Sequence, residues 1–172
     1  MQIRPLCPGD IPAFWTFLNR LDDETDTMMY EPGERRQTTS EAALAEELET
    51  CVLSGDDLLL LAVGEAEEGS GEIIGYLRAE RGPFRRVRHT AYLTAGILAA
   101  GRGQGIGTAL FARLDDWARE NGVHRLELTV ECRNAVALRL YQRAGFVIEG
   151  LRRDSMRVDG AWVDEYLMSK LI

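Results

Sequence analysis

The chain has 172 residues, of which 45% are hydrophobic, a size and composition typical of one globular domain with its own core. Its formal net charge of −8 argues against a nucleic-acid partner, since binding nucleic acid requires a basic surface. No stretch approaches the roughly 20 apolar residues of a membrane span, and the start of the chain lacks the apolar core of a signal peptide. We therefore expect a single cytoplasmic domain over residues 1–172, without membrane contact.

The periodicity of the apolar residues predicts strands and helices in the order β-α-α-β-β-β-α-β-α-β-β. The predicted strands cover residues 3–6, 58–63, 72–80, 89–98, 125–130, 146–153 and 161–168. The predicted helices cover residues 11–20, 40–53, 106–119 and 134–144. This order predicts an α/β fold of the α+β type, with a mixed central sheet of about seven strands and helices on both faces.

Cap and turn signals separate these elements. Asp10 is placed to cap the first helix, and Thr38 with Glu41 has the T-x-x-E spacing of a capping box for the second. Residues 21–36 are predicted to form a loop, and residues 64–71 the turn of a hairpin.

Acidic residues are concentrated in one part of the chain. Sixteen lie between Asp22 and Glu72, where Arg35 and Arg36 are the only basic residues. Such a surface can attract a cationic amine, but a solvated face that keeps the protein soluble is the favoured interpretation.

The cysteines and histidines indicate neither a disulfide framework nor a metal site. Cys7, Cys51 and Cys132 are odd in number and follow no ligand spacing, and His89 and His124 are far apart in the sequence. We expect reduced thiols and no bound metal.

The most informative stretch covers residues 99–110, A-A-G-R-G-Q-G-I-G-T-A-L, between a predicted strand and a predicted helix. Its alternate glycines, Gly103, Gly105 and Gly107, let main-chain N–H groups turn inward, and the start of the helix adds positive potential. Such a bend suits a phosphate or a pyrophosphate. The alternative interpretation is a tight turn that binds no ligand.

Two common phosphate-binding patterns do not fit this stretch. A P-loop requires G-x-x-x-x-G-K-[ST], and the single lysine of the chain is Lys170, far from the glycines. The dinucleotide pattern G-x-G-x-x-G fails in every frame, because its last position never falls on a glycine. The pattern that fits is R-x-x-G-x-G, over residues 102–107.

A second motif covers residues 130–146, V-E-C-R-N-A-V-A-L-R-L-Y-Q-R-A-G-F. Asn134 is placed to cap a helix, and Tyr141 follows about two helical turns later on the same face. A phenol there can act as a proton donor. For an isolated tyrosine, a place in the apolar stripe of the helix is the simpler interpretation.

Together the two motifs resemble those of the GNAT acetyltransferases, in which R-x-x-G-x-G is followed by V-x-x-x-N-x-x-A-x-x-L-Y-x-x-x-G-F. The resemblance covers about residues 92–150, and the order of predicted elements is similar to the family fold over nearly the whole chain. Residues 24–35 also resemble the substrate-side loop of one GNAT subgroup. At Ala99 and Gly101 the family often has proline and a bulky residue, which this chain lacks.

The resemblance implies an N-acetyltransferase that moves the acetyl group of its cosubstrate, acetyl-CoA, directly to a primary amine in a ternary complex. It implies that Tyr141 is the general acid and that Asn134 assists cofactor binding. The end of the preceding strand, where Gly96 is compatible with a bulge, is expected to bond the pantetheine arm. The cofactor-binding residues that it implies are Ile97, Leu98, Ala99, Arg102, Gly103, Gln104, Gly105, Ile106, Gly107, Thr108, Asn134 and Tyr141.

The resemblance does not identify the base that removes the proton of the amine. Glu131 is one candidate, and Glu31 is a candidate base or substrate contact. Glu24, His89 and a chain of water molecules are further candidates. The resemblance also does not decide whether the acceptor of the acetyl group is a small-molecule amine or an amine of a peptide or protein.

Two other functions stay open. One is a non-catalytic acyl-CoA sensor or interaction protein, against which the general acid Tyr141 argues. The other is a structural domain whose glycine bend binds nothing. Members of the family often form homodimers, and the C-terminal hairpin, expected to turn at Asp159-Gly160, is a candidate interface.

Overall fold

The computed structural model describes residues 1–65 and 71–172. Its strands are β1 (Gln2–Pro5), β2 (Leu58–Val63), β3 (Ile73–Arg81), β4 (Thr90–Ile97), β5 (Arg125–Glu131), β6 (Val147–Val158) and β7 (Ala161–Leu171). Its helices are α1 (Ile11–Glu24), α2 (Glu34–Thr38), α3 (Glu41–Cys51), α4 (Ile106–Glu120) and α5 (Ala135–Arg143). Short 3₁₀ turns cover Pro8–Asp10 and Ala99–Gly101.

The strands form one mixed, seven-stranded sheet in the order β1-β2-β3-β4-β5-β7-β6. β4 and β5 run parallel, whereas the β1–β2, β2–β3, β5–β7 and β6–β7 pairs are antiparallel. This confirms the predicted α+β fold with its mixed sheet. The predicted turn over residues 64–71 falls largely on residues 66–70, which lie outside the described part of the chain.

The apolar patterns of the strands match their burial. Every residue of β2 is buried, as its continuous apolar run predicts. In β5 the even-numbered residues from 126 to 130 are buried and apolar, and the odd-numbered residues before Glu131 are polar and partly exposed. β5 therefore has one apolar face and one polar face.

The chain divides into two compact units. The first contains Met1–Glu80 and Thr94–Leu110. In its core, the rings of Phe14 and Phe17 from α1 meet Tyr76 from β3 edge-on, with centroids 5.5 and 5.8 Å away. The second unit contains Arg81–Leu93 and Phe111–Ile172, and its core includes several fully buried side chains. Among these are Leu114, Leu126 and Met168.

The segment before β2 differs from the sequence prediction. α1 extends to Glu24, and the additional helix α2 lies inside the stretch predicted as a loop. The N-cap of α3 is Ser40, whose Oγ accepts the Ala43 N–H at 3.2 Å. Thr38 is not the cap, because it belongs to α2 and its hydroxyl donates to the Glu34 carbonyl.

Asp10 also has a different role from the predicted cap. It precedes α1, but its carboxylate accepts two N–H groups of Arg4, at 2.6 and 2.7 Å, and the N–H of Cys7. The bidentate pairing with a guanidinium joins two opposite charges, whereas a helix cap offers this carboxylate only main-chain N–H groups.

Within residues 1–65 and 71–172, no helix has both the length and the apolar character needed to cross a membrane. The same part of the chain contains no group of three or more His, Cys, Asp or Glu side chains that could hold a metal ion. All three cysteines are free thiols.

Candidate functional site

The glycine bend, which we define as residues 102–108, follows β4 and leads into α4 in the first unit. Gly103 and Gly105 have φ angles of 76° and 80°, in the left-handed region that strains other residues. Among the residues that the structure describes, none has an atom within 4 Å of the position that a Cβ would take on Gly103 or Gly105. The first helical bond of α4 runs from the Ala109 N–H to the Gly105 carbonyl at 3.0 Å, so the N–H groups before it have no intrahelical partner. These are the N–H groups of Ile106, Gly107 and Thr108. Adjacent N–H donors at a helix start, beside open glycines, form an arrangement that binds anions.

The two polar side chains of the bend bond nearby main chain. Arg102 Nε donates to the Ile97 carbonyl at 3.2 Å, and Gln104 Nε2 donates to the Ala100 carbonyl at 2.8 Å. Arg102 is exposed, so its remaining N–H groups can meet an anionic ligand.

The end of β4 lies in the same unit as the bend, and its main-chain groups have protein partners. The Leu98 N–H donates to the Ile74 carbonyl at 3.0 Å. The Ala99 N–H donates to the Glu24 carboxylate at 2.9 Å. The predicted cofactor-binding residues from Ile97 to Thr108 lie together in the first unit. Glu24, named above as a candidate base, contacts them at Ala99, which the sequence did not predict.

Gly96 is a position where two segments of the chain approach closely. A Cβ on Gly96 would lie 2.3 Å from Leu21 Cδ2 and 3.1 Å from the Tyr76 ring. A side chain at this position would collide with α1, so the glycine allows the end of α1 to pack directly on β4.

The second unit contains Asn134 and Tyr141. Asn134 is the N-cap of α5, and its Oδ1 accepts the Ala137 N–H at 3.1 Å, as predicted. The Tyr141 ring meets Phe111 edge-on, with centroids 5.5 Å apart, and lies 6.2 Å from Phe146. The two phenylalanines hold the orientation of the phenol.

The phenol of Tyr141 stays protonated at neutral pH. Burial raises its pKa to about 12, and the nearby Tyr92 adds to the rise. The Tyr92 hydroxyl is 2.8 Å from that of Thr129. The sequence did not predict that Tyr92 and Thr129 lie near this site. In the structure, Tyr92 is the last residue through which β4 pairs with β5.

Glu131, a predicted candidate base, ends β5 and is 3% exposed. Its Oε2 accepts Arg133 Nε at 2.5 Å, whereas its Oε1 is buried without a hydrogen-bond partner among the described residues. Its partner across the strand pair is Glu165, which is also buried and is paired with Arg152 at 3.0 Å. Glu131 is therefore a buried carboxylate with one oxygen still available as an acceptor.

The other candidate bases differ in accessibility. Glu31 is exposed in the loop before α2. Glu24 has both oxygens engaged, by Ala99 and by Arg20, and these bonds hold its pKa below the usual value. His89 precedes β4, at the opposite end of that strand from Ile97. Glu24 and His89 are therefore poor candidates for a base.

Comparison with known proteins shows what the chain is similar to. A family model described as the Acetyltransferase (GNAT) family matches residues 17–146. The chain is 35% identical over 148 residues to the N-alpha-acetyltransferase RimI of Mycobacterium tuberculosis, covering 77% of this chain and 88% of the relative. It is 31% identical over 100 residues to the L-methionine sulfoximine/L-methionine sulfone acetyltransferase of Pseudomonas paraeruginosa. That match spans 58% of this chain and 58% of the length of the relative.

The fold matches a solved structure as well. The acetyltransferase of the GNAT family from Streptococcus pneumoniae superposes with a TM-score of 0.88, at 32% identity, over 99% of both chains. The glycine bend and the segment from Asn134 to Tyr141 both lie within the residues that the family model matches. This protein therefore belongs to the acetyltransferase (GNAT) family.

Proposed function

We propose that this protein transfers the acetyl group of acetyl-CoA directly to a primary amine in a ternary complex. The observation that carries the proposal is the glycine bend, with two left-handed glycines beside the free N–H groups at the start of α4. We also propose that residues 1–172 form one acetyltransferase domain.

The glycine bend has the chemistry that a pyrophosphate requires. The main-chain N–H groups of residues 103–108 and the exposed guanidinium of Arg102 are the proposed donors. Ile97, Leu98 and Ala99 are proposed to contact the pantetheine arm through their main chain. Glu24 already accepts the Ala99 N–H, so the main-chain group of Ala99 that is available for this contact is its carbonyl. A carbonyl oxygen has two lone pairs and can accept more than one hydrogen bond.

Tyr141 is proposed as the general acid, with Asn134 assisting cofactor binding. A phenol with a pKa of about 12 is a hydrogen-bond donor throughout the neutral range. A thiol in water has a pKa of roughly 8.5, so proton transfer from this phenol to a solvated thiolate is unfavourable. Exclusion of water from the site raises the pKa of the thiol as well, which reduces the difference between the pKa values of the thiol and the phenol.

The amine must lose a proton before it attacks, and Glu131 and Glu31 are the proposed bases or acceptor contacts. Glu131 offers its buried, unpartnered Oε1, and Glu31 offers an exposed carboxylate. The demand on the base depends on the amine, because an α-amino group has a pKa near 8 and a lysine-like amine one near 10.4. Glu131→Gln and Glu31→Gln, compared over a range of pH, separate the two candidates.

The names of two relatives support an α-amine as the acceptor. One acts on methionine sulfoximine and methionine sulfone, and the other is an N-alpha-acetyltransferase. We propose that the acceptor is a small-molecule or peptide α-amine. We also propose that the protein acts in the cytoplasm and binds neither nucleic acid nor a membrane. A homodimer through the β6–β7 hairpin is also proposed, since this hairpin exposes Leu151 and Trp162.

Release of free thiol from acetyl-CoA tests the proposal. The purified protein is incubated with acetyl-CoA and a panel of amines that contains L-methionine sulfone, other L-amino acids, spermidine and a peptide with a free N-terminus. We expect thiol release that depends on one class of amine. Binding of acetyl-CoA without thiol release would favour a sensor, and a melting temperature unchanged by acetyl-CoA in large excess would favour a bend that binds nothing.

A further inference from the structure

Three consecutive acidic residues at the end of α1 have three different partners. Asp22 binds Arg35 through two bonds, of 2.6 and 3.2 Å. Asp23 accepts the Gly33 N–H at 3.1 Å and also pairs with Arg36. Asp22 and Asp23 therefore close the base of the loop 25–33, which we call the acceptor-side loop. Glu24 extends instead to the end of β4.

Both oxygens of Glu24 are used within the first unit. Oε2 accepts the Ala99 N–H at 2.9 Å, and Oε1 accepts Arg20 Nε at 2.8 Å. Arg20 in turn donates to Glu72 at 2.5 Å. The charged partner on one oxygen orients the carboxylate toward the main-chain donor on the other, and hydrogen bonds to a charged group are stronger than neutral ones.

A second contact joins the same two segments. Leu21 lies three residues before Glu24, on the same face of α1. Its Cδ2 occupies the space beside Gly96, where a Cβ would be only 2.3 Å away. The face of α1 that carries Leu21 and Glu24 thus holds the end of β4 at Gly96 and again at Ala99.

We propose that Glu24 is a positioning residue for acetyl transfer, which holds the main chain at Ala99 and links it to the acceptor-side loop. The inference rests on the proposed function, in which residues 97–99 contact the cofactor. Thr25, the residue after Glu24, begins the acceptor-side loop. The Glu24 carboxylate therefore connects the segment proposed to contact acetyl-CoA with the loop proposed to face the amine. Glu24 touches neither reacting atom and acts through Ala99.

A double-mutant cycle on Glu24 and Ala99 tests the inference. Glu24→Ala removes the acceptor, and Ala99→Pro removes the donor N–H. Proline suits this position, because Ala99 is the first residue of a 3₁₀ turn and Leu98 has φ −55° and ψ 148°, the conformation that precedes proline. Acetyl-CoA Kd is measured by calorimetry, and kcat and KM are measured by thiol release with the best amine of the panel.

We expect each single variant to lower kcat by about tenfold, because a shift well below 1 Å at the cofactor misaligns the reacting groups. The double variant should be no worse than either single variant, since both remove the same bond. Glu24→Gln keeps a carbonyl oxygen that can accept the Ala99 N–H, so it should retain kcat within about threefold of the wild type. Glu72→Gln is the matched control, because it removes the outer ion pair and leaves the bond to Ala99.

Other results would overturn the inference. Losses in the two single variants that multiply in the double variant would mean that Glu24 and Ala99 act independently. A wild-type kcat in Glu24→Ala would mean that the bond does not position the cofactor. If Glu24→Ala unfolds, Ala99→Pro and Glu24→Gln still decide the question, because Ala99→Pro leaves the Glu24 side chain in place and Glu24→Gln keeps its size and an acceptor oxygen. Wild-type protein that neither binds acetyl-CoA nor releases thiol would defeat both proposals, whereas an active wild type with an indifferent Glu24 would defeat this one alone.

Discussion

Asp22 and Arg35 form a bidentate ion pair that is almost completely removed from solvent. The side chain of Asp22 is 1% exposed and that of Arg35 is 12% exposed. The guanidinium also lies over the Tyr30 ring, 4.3 Å from its centroid. This pair attaches α2 and the acceptor-side loop to α1, which explains why a stretch rich in loop signals contains a helix.

Asp22→Ala should therefore destabilise the protein far more than Asp23→Ala. Removing one partner of a buried ion pair leaves the other charge unpaired and costs about 3–5 kcal/mol. Asp23 and Arg36 are both partly exposed, and such a pair contributes about 0–1 kcal/mol. Urea denaturation of the two variants measures the difference. Equal losses would show that the pair with Arg35 is not protected from solvent.

Tyr141→Phe should lower kcat by about 10²- to 10⁴-fold, because it removes the proton donor. The acetyl-CoA Kd should stay within about threefold, since the ring keeps its contacts with Phe111 and Phe146. Steady-state kinetics and calorimetry measure the two quantities. An unchanged kcat would remove Tyr141 from the mechanism.

The pH profile of the wild type provides an independent check on Tyr141. With a pKa of about 12, the phenol remains protonated up to about pH 11. Loss of the proton donor therefore cannot lower kcat between pH 7 and pH 10. A fall in kcat within this range that Tyr141→Phe abolishes would contradict the raised pKa.

Gly105→Ala should weaken acetyl-CoA binding by roughly tenfold. The left-handed conformation costs an alanine about 1–2 kcal/mol, and an added Cβ would stand beside the N–H groups proposed to bind the pyrophosphate. Gly105→Asn should bind better than Gly105→Ala if the backbone conformation dominates, because asparagine tolerates this region.

Gly122→Ala is the matched control for this prediction. Gly122 has a φ of 67° and follows the other end of α4. No described residue has an atom within 4 Å of the position that a Cβ would take on Gly122. The two alanine variants should lose similar stability, and only Gly105→Ala should lose affinity for acetyl-CoA. Equal Kd values would show that the glycine bend does not bind the cofactor.

Glu149 makes stability depend on pH in the acidic range. The hydrogen bond from Arg125, and to a smaller extent that from Ser169, lowers the pKa of Glu149 from 4.5 to about 2. A depressed pKa in the folded state stabilises the protein above pH 4.5, and this contribution is lost as the pH falls from 4.5 to about 2. Wild type should therefore lose more stability than Glu149→Gln across this range, as melting temperatures at each pH will measure. Parallel curves for the two proteins would contradict the lowered pKa.

Local sequence signals predicted the elements whose causes are local. The apolar run of β2 is buried throughout, and Asp159 and Gly160 both have the positive φ angles of the predicted hairpin turn. Asn134 caps α5 as expected. The loop predicted over residues 21–36 is confirmed for 25–33 and wrong at its two ends, where residues 21–24 belong to α1 and residues 34–36 to α2. Asp22 and Arg35 pair across this loop.

By itself, the sequence determined the glycine bend, the capped helix with Tyr141 and the succession of strands along the chain, because conformation at these places depends on residues within one or two turns. Tertiary structure decided which charges are buried, which carboxylates keep a free oxygen and how far the pKa of Tyr141 rises. Those properties depend on partners that are distant in the chain: Glu24 and Ala99 are 75 residues apart. Such a bond leaves no periodic or short-range pattern, so only packing in three dimensions reveals it.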